Sequence, residues 1–169
     1  MAVLRASALD SLRIWSGSGF LITEMKDGVP MGSPSPGDGM RHTLPRIGAG
    51  PNGVSITSVV HPGNELSRGG PIHVRYEVWD AEPDLLPSWE RMWEGRLHLR
   101  TGLIGIAEDY GDPYASDDEY LEFDTGEQDS TWSARVLTRL LVNTGEPDFP
   151  AGIVEADLYR MQLWPSRTV

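Results

Sequence analysis

The chain has 169 residues, and its 25 acidic against 14 basic side chains leave a formal net charge of −11. That balance argues against a surface built for nucleic-acid phosphates, which takes clustered Lys and Arg, and the lack of any cysteine excludes disulfides, thiolate metal sites and a cysteine nucleophile. A hydrophobic share of 39% with 19 Gly and 13 Pro predicts many turns and few long helices, hence an all-β chain folded as a single domain over 1–169.

The opening MAVLRASALDSLRIW has no continuous apolar run followed by a small-residue cleavage site. No later run reaches the roughly 18 apolar residues of a membrane span, so a cytoplasmic protein with no membrane contact is expected. Between Ser11 and Glu24, the apolar pieces LRIW and GFLI flank Ser16-Gly17-Ser18-Gly19 and predict a strand or hairpin. From Lys26 to Gly53 the chain is rich in Gly, Pro, Ser and Asp and has no periodic apolar face, which predicts a long flexible loop over 26–53. GVSITSVV then supplies Val54 and Ile56 for a strand.

The stretch from Pro71 to Glu108 organises the reading. In PIHVRYEVWD, Ile72, Val74, Tyr76 and Val78 alternate with His73, Arg75 and Glu77, the period of a strand with one buried face. In GRLHLRTGLIGIAE, Leu97 and Leu99 alternate with Arg96, His98 and Arg100, and Gly102 permits a bend before Leu103, Ile104 and Ile106. The two strands are read as neighbours. Between them, Ser88 can cap one short helical turn near 88–93, with Trp89 and Trp93 four residues apart on one side.

Glu108 to Asp129 carries ten carboxylates and no Lys or Arg, and inside it only EYLEF reads as strand, with Leu121 and Phe123 inward. TWSARVLTRLLV is compatible with a short helix, but its β-branched Thr131, Val136, Thr138 and Val142 favour a strand with Trp132, Ala134, Val136 and Leu140 on one face. VEADLYRMQLWP alternates Tyr159, Met161 and Leu163 with Arg160 and Gln162 until Pro165 stops it. The sum is an antiparallel β-sandwich of about seven to eight strands.

Chemistry is sparsely signalled. Gly48-Ala-Gly50-Pro-Asn-Gly53 matches G-x-G-x-x-G, yet no strand precedes it and no helix follows, so it reads as a turn and not as a dinucleotide site. Asp109, Asp112, Asp117, Asp118 and Glu119 offer oxygen ligands that suit Ca²⁺, but lack the EF-hand spacing. They read better as a solvated acidic loop or as the surface that meets a basic protein partner. His42, His61, His73 and His98 show no zinc-ligand spacing, and no nucleophile elbow is present. No metal or other cofactor is expected, and no catalytic residue stands out. Arg75, Arg100, Arg135 and Arg160 each lie opposite the apolar set of their strand. Were those strands adjacent, they would form a cationic stripe for an anion. The plainer reading pairs them with carboxylates such as Glu77, each pair worth about 0–1 kcal/mol at a surface.

Tyr159-Arg-Met-Gln162-Leu-Trp164-Pro165, with Trp132-Ser-Ala-Arg135 and the connector from Trp89 to Gly95 before it, resembles a set of small uncharacterised actinobacterial proteins that end in Y-x-x-Q-x-W-P. The order of a glycine-centred hairpin, a strand and a late return at Pro150-Ala-Gly152 and Tyr159 is similar to the competence-J nuclease-inhibitor family. The likeness spans 72–165 and brings no site residues with it. It implies a non-enzymatic protein-binding module, an acidic inhibitor or immunity protein of a basic nuclease or toxin. An anion or small-ligand binder or enzyme using the Arg-bearing face, and a structural or scaffold component, stand as alternatives.

Overall fold

The computed structural model describes residues 1–13, 19–31, 47–57, 71–108, 120–141, 146–153 and 156–166. In chain order the strands are β1 (Leu4–Arg13), β2 (Gly19–Lys26), β3 (Val29–Pro30), β4 (Ile47–Ala49), β5 (Gly53–Thr57), β6 (Pro71–Trp79), β7 (Glu90–Leu99), β8 (Leu103–Glu108), β9 (Phe123–Asp124), β10 (Ser130–Leu141) and β11 (Ala156–Pro165). Eight of them run to five residues or more, close to the number read from the turn signals. Among the described residues there is no helix, and so none long and apolar enough to cross a membrane.

Two sheets face each other. The first has the order β1-β6-β11-β10-β7, and the second has the order β4-β5-β2-β8-β9 with β3 beside the end of β2. The period-2 pattern decides which side chains meet between them. Ile72, Val74, Tyr76 and Val78 of β6 join Tyr159, Met161 and Leu163 of β11, Trp132, Ala134 and Val136 of β10, and Leu97 and Leu99 of β7 in one apolar cluster. The second sheet closes it with Phe20, Ile22, Val54, Ile56, Ile104, Ile106 and Phe123. Phe20 meets Tyr159 edge-on with ring centroids 5.0 Å apart, and Tyr76 stacks on Phe123 at 5.3 Å. The structure is thus an all-β sandwich.

Several local expectations change. The sheets are not wholly antiparallel, because β6 and β11 pair in parallel. The strands of the organising pair are not neighbours: β11 and β10 lie between β6 and β7. The chain then leaves the first sheet at Gly102, whose φ of +74° and tight approach to the Glu127 carbonyl suit glycine, and β8 enters the second. Nor do β1 and β2 form a hairpin, since β1 pairs with β6 and β2 with β5 and β8. No helical turn forms near 88–93. The Trp89 amide bonds the Leu86 carbonyl at 3.0 Å to close a turn, and from Glu90 onward the backbone pairs with β10.

A bulge opposite Val136 and Leu137 then breaks the β7 register, so Trp93 packs on the inner cluster while Trp89 packs on the outer one. Leu121 is exposed and only Phe123 of EYLEF turns inward. Within 26–53, Asp27-Gly28 turns the chain at φ of 52° and 74° so that β3 folds back on β2, and Gly48 to Gly53 is the β4–β5 hairpin. Residues 32–46 lie outside the described set.

At the β1 edge, Asp10 sits opposite Val74 and therefore points toward the inner face. Its Oδ1 accepts the Ser11 amide at 2.7 Å, but Oδ2 and the nearby Tyr76 hydroxyl are buried without a well-formed hydrogen bond. Burial holds the Asp10 carboxyl above its ordinary value of 3.8, and burial followed by the Asp10 charge holds the Tyr76 phenol well above its own. Between 3.8 and the raised value the native state binds more protons than the unfolded chain, so stability falls as pH rises through that window and the cost is complete above it. Asp10→Asn should therefore melt higher than the parent at pH 7, with the margin shrinking as the pH is lowered toward 4. His73, held below its ordinary value by burial, titrates in both proteins and cancels from the difference. A margin that stays constant or widens in acid would show that Asp10 is not strained by its burial.

Candidate functional site

The outer face of the first sheet carries the polar half of the alternation, and the strand register decides which groups meet. Arg75 of β6 stands opposite Arg160 of β11, and one step on, Glu77 stands beside Gln162, which stands beside Arg135 of β10. Two facing guanidiniums repel, and Glu77 resolves this. One of its oxygens takes Arg75 Nε at 3.2 Å and Arg160 Nη1, and the other takes Gln162 Nε2 at 2.8 Å and Trp79 Nε1 at 3.1 Å. Gln162 Oε1 in turn accepts Arg135 Nε at 3.0 Å and Nη2 at 2.8 Å. Glu77, Arg135 and Gln162 are each 1% exposed, so these are interior bonds and not surface pairs.

Two segments provide the cover. The connector 80–89 lays Trp89 and Leu86, and the segment 146–153 lays Phe149 and Ile153, over Leu137, Ala156 and Leu158. Polar contacts lock both segments to the sheet. Arg135 Nη2 donates to the Pro83 carbonyl at 2.8 Å, Arg160 Nη2 to Asp148 Oδ2 at 3.2 Å, and Arg139 Nη1 to Glu146 at 2.5 Å. The Arg160 guanidinium lies 4.8 Å from the Trp89 ring and 5.4 Å from Phe149, and Arg135 lies 5.3 Å from the Trp164 ring. Burial pushes the Arg135 guanidinium below its ordinary value, opposed by the charges of Glu94 and Glu82. Asp148 adopts a left-handed φ of 71°, uncommon for a residue with a side chain.

Where the two covers and the start of β1 meet, a cleft of about 470 Å³ opens, floored by Glu77, Arg160 and Gln162 and walled by Trp79, Pro83, Leu86 and Trp89. A second opening of about 480 Å³ shares Met1, Ala2, Pro83 and Asp84 with it and runs along Ala81 to Leu85.

The structure brings together three of the four arginines of the expected stripe. Arg75, Arg135 and Arg160 share one face, and donors of each are taken by Glu77, Gln162, Asp148 or Pro83. Arg100 stands apart, exposed at the bend after β7. Asp109, Asp112, Asp117, Asp118 and Glu119 lie outside the described residues, as do His42 and His61. His73 Nδ1 pairs with Ser11 Oγ at 2.7 Å and His98 Nδ1 with Thr131 Oγ1 at 3.1 Å, on strands that do not adjoin. Gln162, Pro83, Asp148 and Trp89 were not singled out as site residues from sequence. A signal existed: Leu158, Arg160, Gln162 and Trp164 share one face of β11, and Leu and Trp beside polar groups mark a face that is covered.

No protein-family model matches the chain, and no curated protein matches it. Among solved structures it is similar to ComJ from Bacillus subtilis, described as an inhibitor of the DNA-degrading activity of NucA, at 12% identity and a TM-score of 0.54 over 98% of this chain and 99% of that one. It is also similar to the product described as crocagin biosynthetic gene J, at 14% identity and a TM-score of 0.48 over 96% of this chain and 100% of that one. At 12% identity the likeness to ComJ is one of fold.

Because Glu77 neutralises the buried Arg160 guanidinium as well as the partly exposed Arg75, Glu77→Ala should lower the unfolding free energy by about 3–5 kcal/mol, the cost of leaving a buried charge unpaired. Arg100→Ala, at an exposed bend, should change it by less than about 0.5 kcal/mol. Urea unfolding of the two variants measures both values, and equal losses would contradict the central role of Glu77.

Proposed function

We propose that this chain is a non-enzymatic protein-binding module, an inhibitor or immunity protein of a basic nuclease or toxin. The observation that carries the reading is how the charge is distributed. Arg135 and Arg160 of the first sheet are turned into the structure and bonded there, Arg5, Arg13, Arg91 and Arg96 stay exposed on its edge strands, and Glu82 and Asp84 on the connector are exposed and have no hydrogen bond or close ion pair among the described residues. Among the described residues two arginines, Arg135 and Arg160, and three carboxylates, Glu24, Glu77 and Asp157, are buried, so a chain of net charge −11 keeps an acidic exterior. Such a field attracts a basic partner and speeds its encounter. The fold shared end to end with ComJ, which inhibits a nuclease, supports the same reading. The acidic segment with Asp109, Asp112, Asp117, Asp118 and Glu119 belongs to this proposal as a further contact region. The anion-binding alternative loses force because Arg75, Arg135 and Arg160 already have acceptors.

The test is capture on the immobilised chain from a lysate of the native host, identification by mass spectrometry, and a DNA-degradation assay on the captured protein. The expected result is a nuclease whose activity falls stoichiometrically as the chain is added. Its association rate should drop steeply with salt, since the Debye length shrinks from about 30 Å at 0.01 M to about 8 Å at 0.15 M. Replacing Asp117, Asp118 and Glu119 by Ser should slow association and leave the melting temperature unchanged or slightly raised. Capture of non-nucleases alone, or inhibition indifferent to salt, would overturn the reading.

A further inference from the structure

We propose that the groove between the start of β1 and the connector 80–87 is the docking site for a basic loop of the protein partner, one that inserts an apolar side chain flanked by Arg or Lys. The inference rests on the protein-binding reading above and names the surface that carries it. Its first ground is where apolar surface is left in water. Leu4 is 38% exposed and Leu85 58%, and with Met1 they line the two connected openings beside Val3, 54% exposed and next to Leu4 in the chain, whereas Leu121, the other large apolar side chain exposed among the described residues, precedes β9 of the second sheet. Contiguous apolar surface of this kind marks interaction sites, while single exposed side chains do not.

The second ground is charge. The rim holds Glu82 and Asp84, both exposed and without a hydrogen bond or close ion pair among the described residues, and Asp148, whose side chain is 52% exposed; the guanidiniums of the lining, Arg75 and Arg160, are bonded to Glu77. An apolar centre within an acidic rim complements an apolar anchor between cations. It repels phosphate and anionic lipid. It also repels a second copy, since two such rims would face each other with like charge.

The third ground is rigidity. Asp80 ties the connector to β1 by accepting the Val3 amide at 2.7 Å and giving its own amide to the Val3 carbonyl at 3.1 Å. Pro83 is pinned through its carbonyl to Arg135, and Leu86 to Trp89 through the turn bond. A groove fixed in this way binds without first having to be ordered.

The experiment is an amide and indole chemical-shift titration of the full chain with three blocked heptapeptides that alternate Arg with Leu, Arg with Ser, and Glu with Leu. The Arg/Leu peptide should shift Val3, Leu4, Glu82, Asp84, Leu85 and the Trp79 and Trp89 indoles, and bind at least tenfold more tightly than either control. Leu85→Ser, or Glu82→Gln with Asp84→Asn, should weaken that binding at least tenfold with the melting temperature unchanged. Shifts centred elsewhere, no shifts, or equal binding of the Arg/Ser peptide would overturn the site. A concentration-dependent dimer abolished by Leu85→Ser would assign the groove to a second copy and likewise overturn it. No nuclease enters this measurement. If a nuclease is captured and inhibited equally by parent and Leu85→Ser, the docking site fails while the inhibitor reading stands.

Discussion

The interaction on which the outer half of this sandwich depends is the buried contact of Glu77 with Arg160. Parallel pairing of β6 with β11 sets Arg75 beside Arg160, and no arrangement of those two strands in that register avoids placing the cations together. A carboxylate one step along β6 is within reach of both, and its second oxygen is then free for Gln162 and Trp79. Desolvating these groups is costly, and the cost is offset only when each donor and acceptor finds a partner. That requirement spreads the network to Pro83, Asp148 and the aromatic rings, although Arg160 Nε stays buried without a hydrogen-bond partner among the described residues.

From that constraint the covering segments follow. A sheet face bearing bonded charges beside Leu137, Leu158 and Trp164 cannot be left half wet, because water would compete for the bonds and the apolar groups would be exposed. The connector and the segment 146–153 exclude that water with Trp89 and Phe149, and each is anchored through arginines that the sheet supplies. β11 is the clearest case, since nine of its ten residues are buried although three are charged or amide-bearing. Stability and site geometry are thereby joined: the groups that settle the outer face also hold the groove walls.

Much of the inner core was legible from spacing alone. Ile72 to Val78, Leu97 and Leu99, Trp132 to Val136 and Tyr159 to Leu163 alternate strictly, and each set enters the cluster it implies. The bend at Gly102 was legible as well. What spacing does not carry is what covers the other face, because a polar residue every second position looks the same whether it meets solvent or a buried carboxylate. Arg135, Arg160 and Gln162 therefore read as surface groups. β1 was missed for another reason: LRASALDSLR presents Ala6, Ala8 and Asp10 inward, too small or too polar for its alternation to register. Trp89 and Trp93 misled because their i, i+4 spacing fits a helical turn, and one bulge in β7 sends them to opposite faces. Strand order and the parallel pair are long-range properties on which local pattern has no purchase.

The same bonding pattern connects composition to recognition. A net charge of −11 describes the whole chain, but a partner meets only what is turned outward. Among the described residues Arg135 and Arg160 are withdrawn from the surface, as are the carboxylates Glu24, Glu77 and Asp157, so the exterior keeps the acidic balance of the sequence. The connector keeps Glu82 and Asp84 exposed beside Leu85, on a backbone whose position is dictated by Arg135 beneath it. A charge placed on a pinned backbone acts at a defined distance from its partner, which converts attraction into orientation. The buried cation thus positions the exposed anions, and loosening the first would blur the second even if no surface residue were changed.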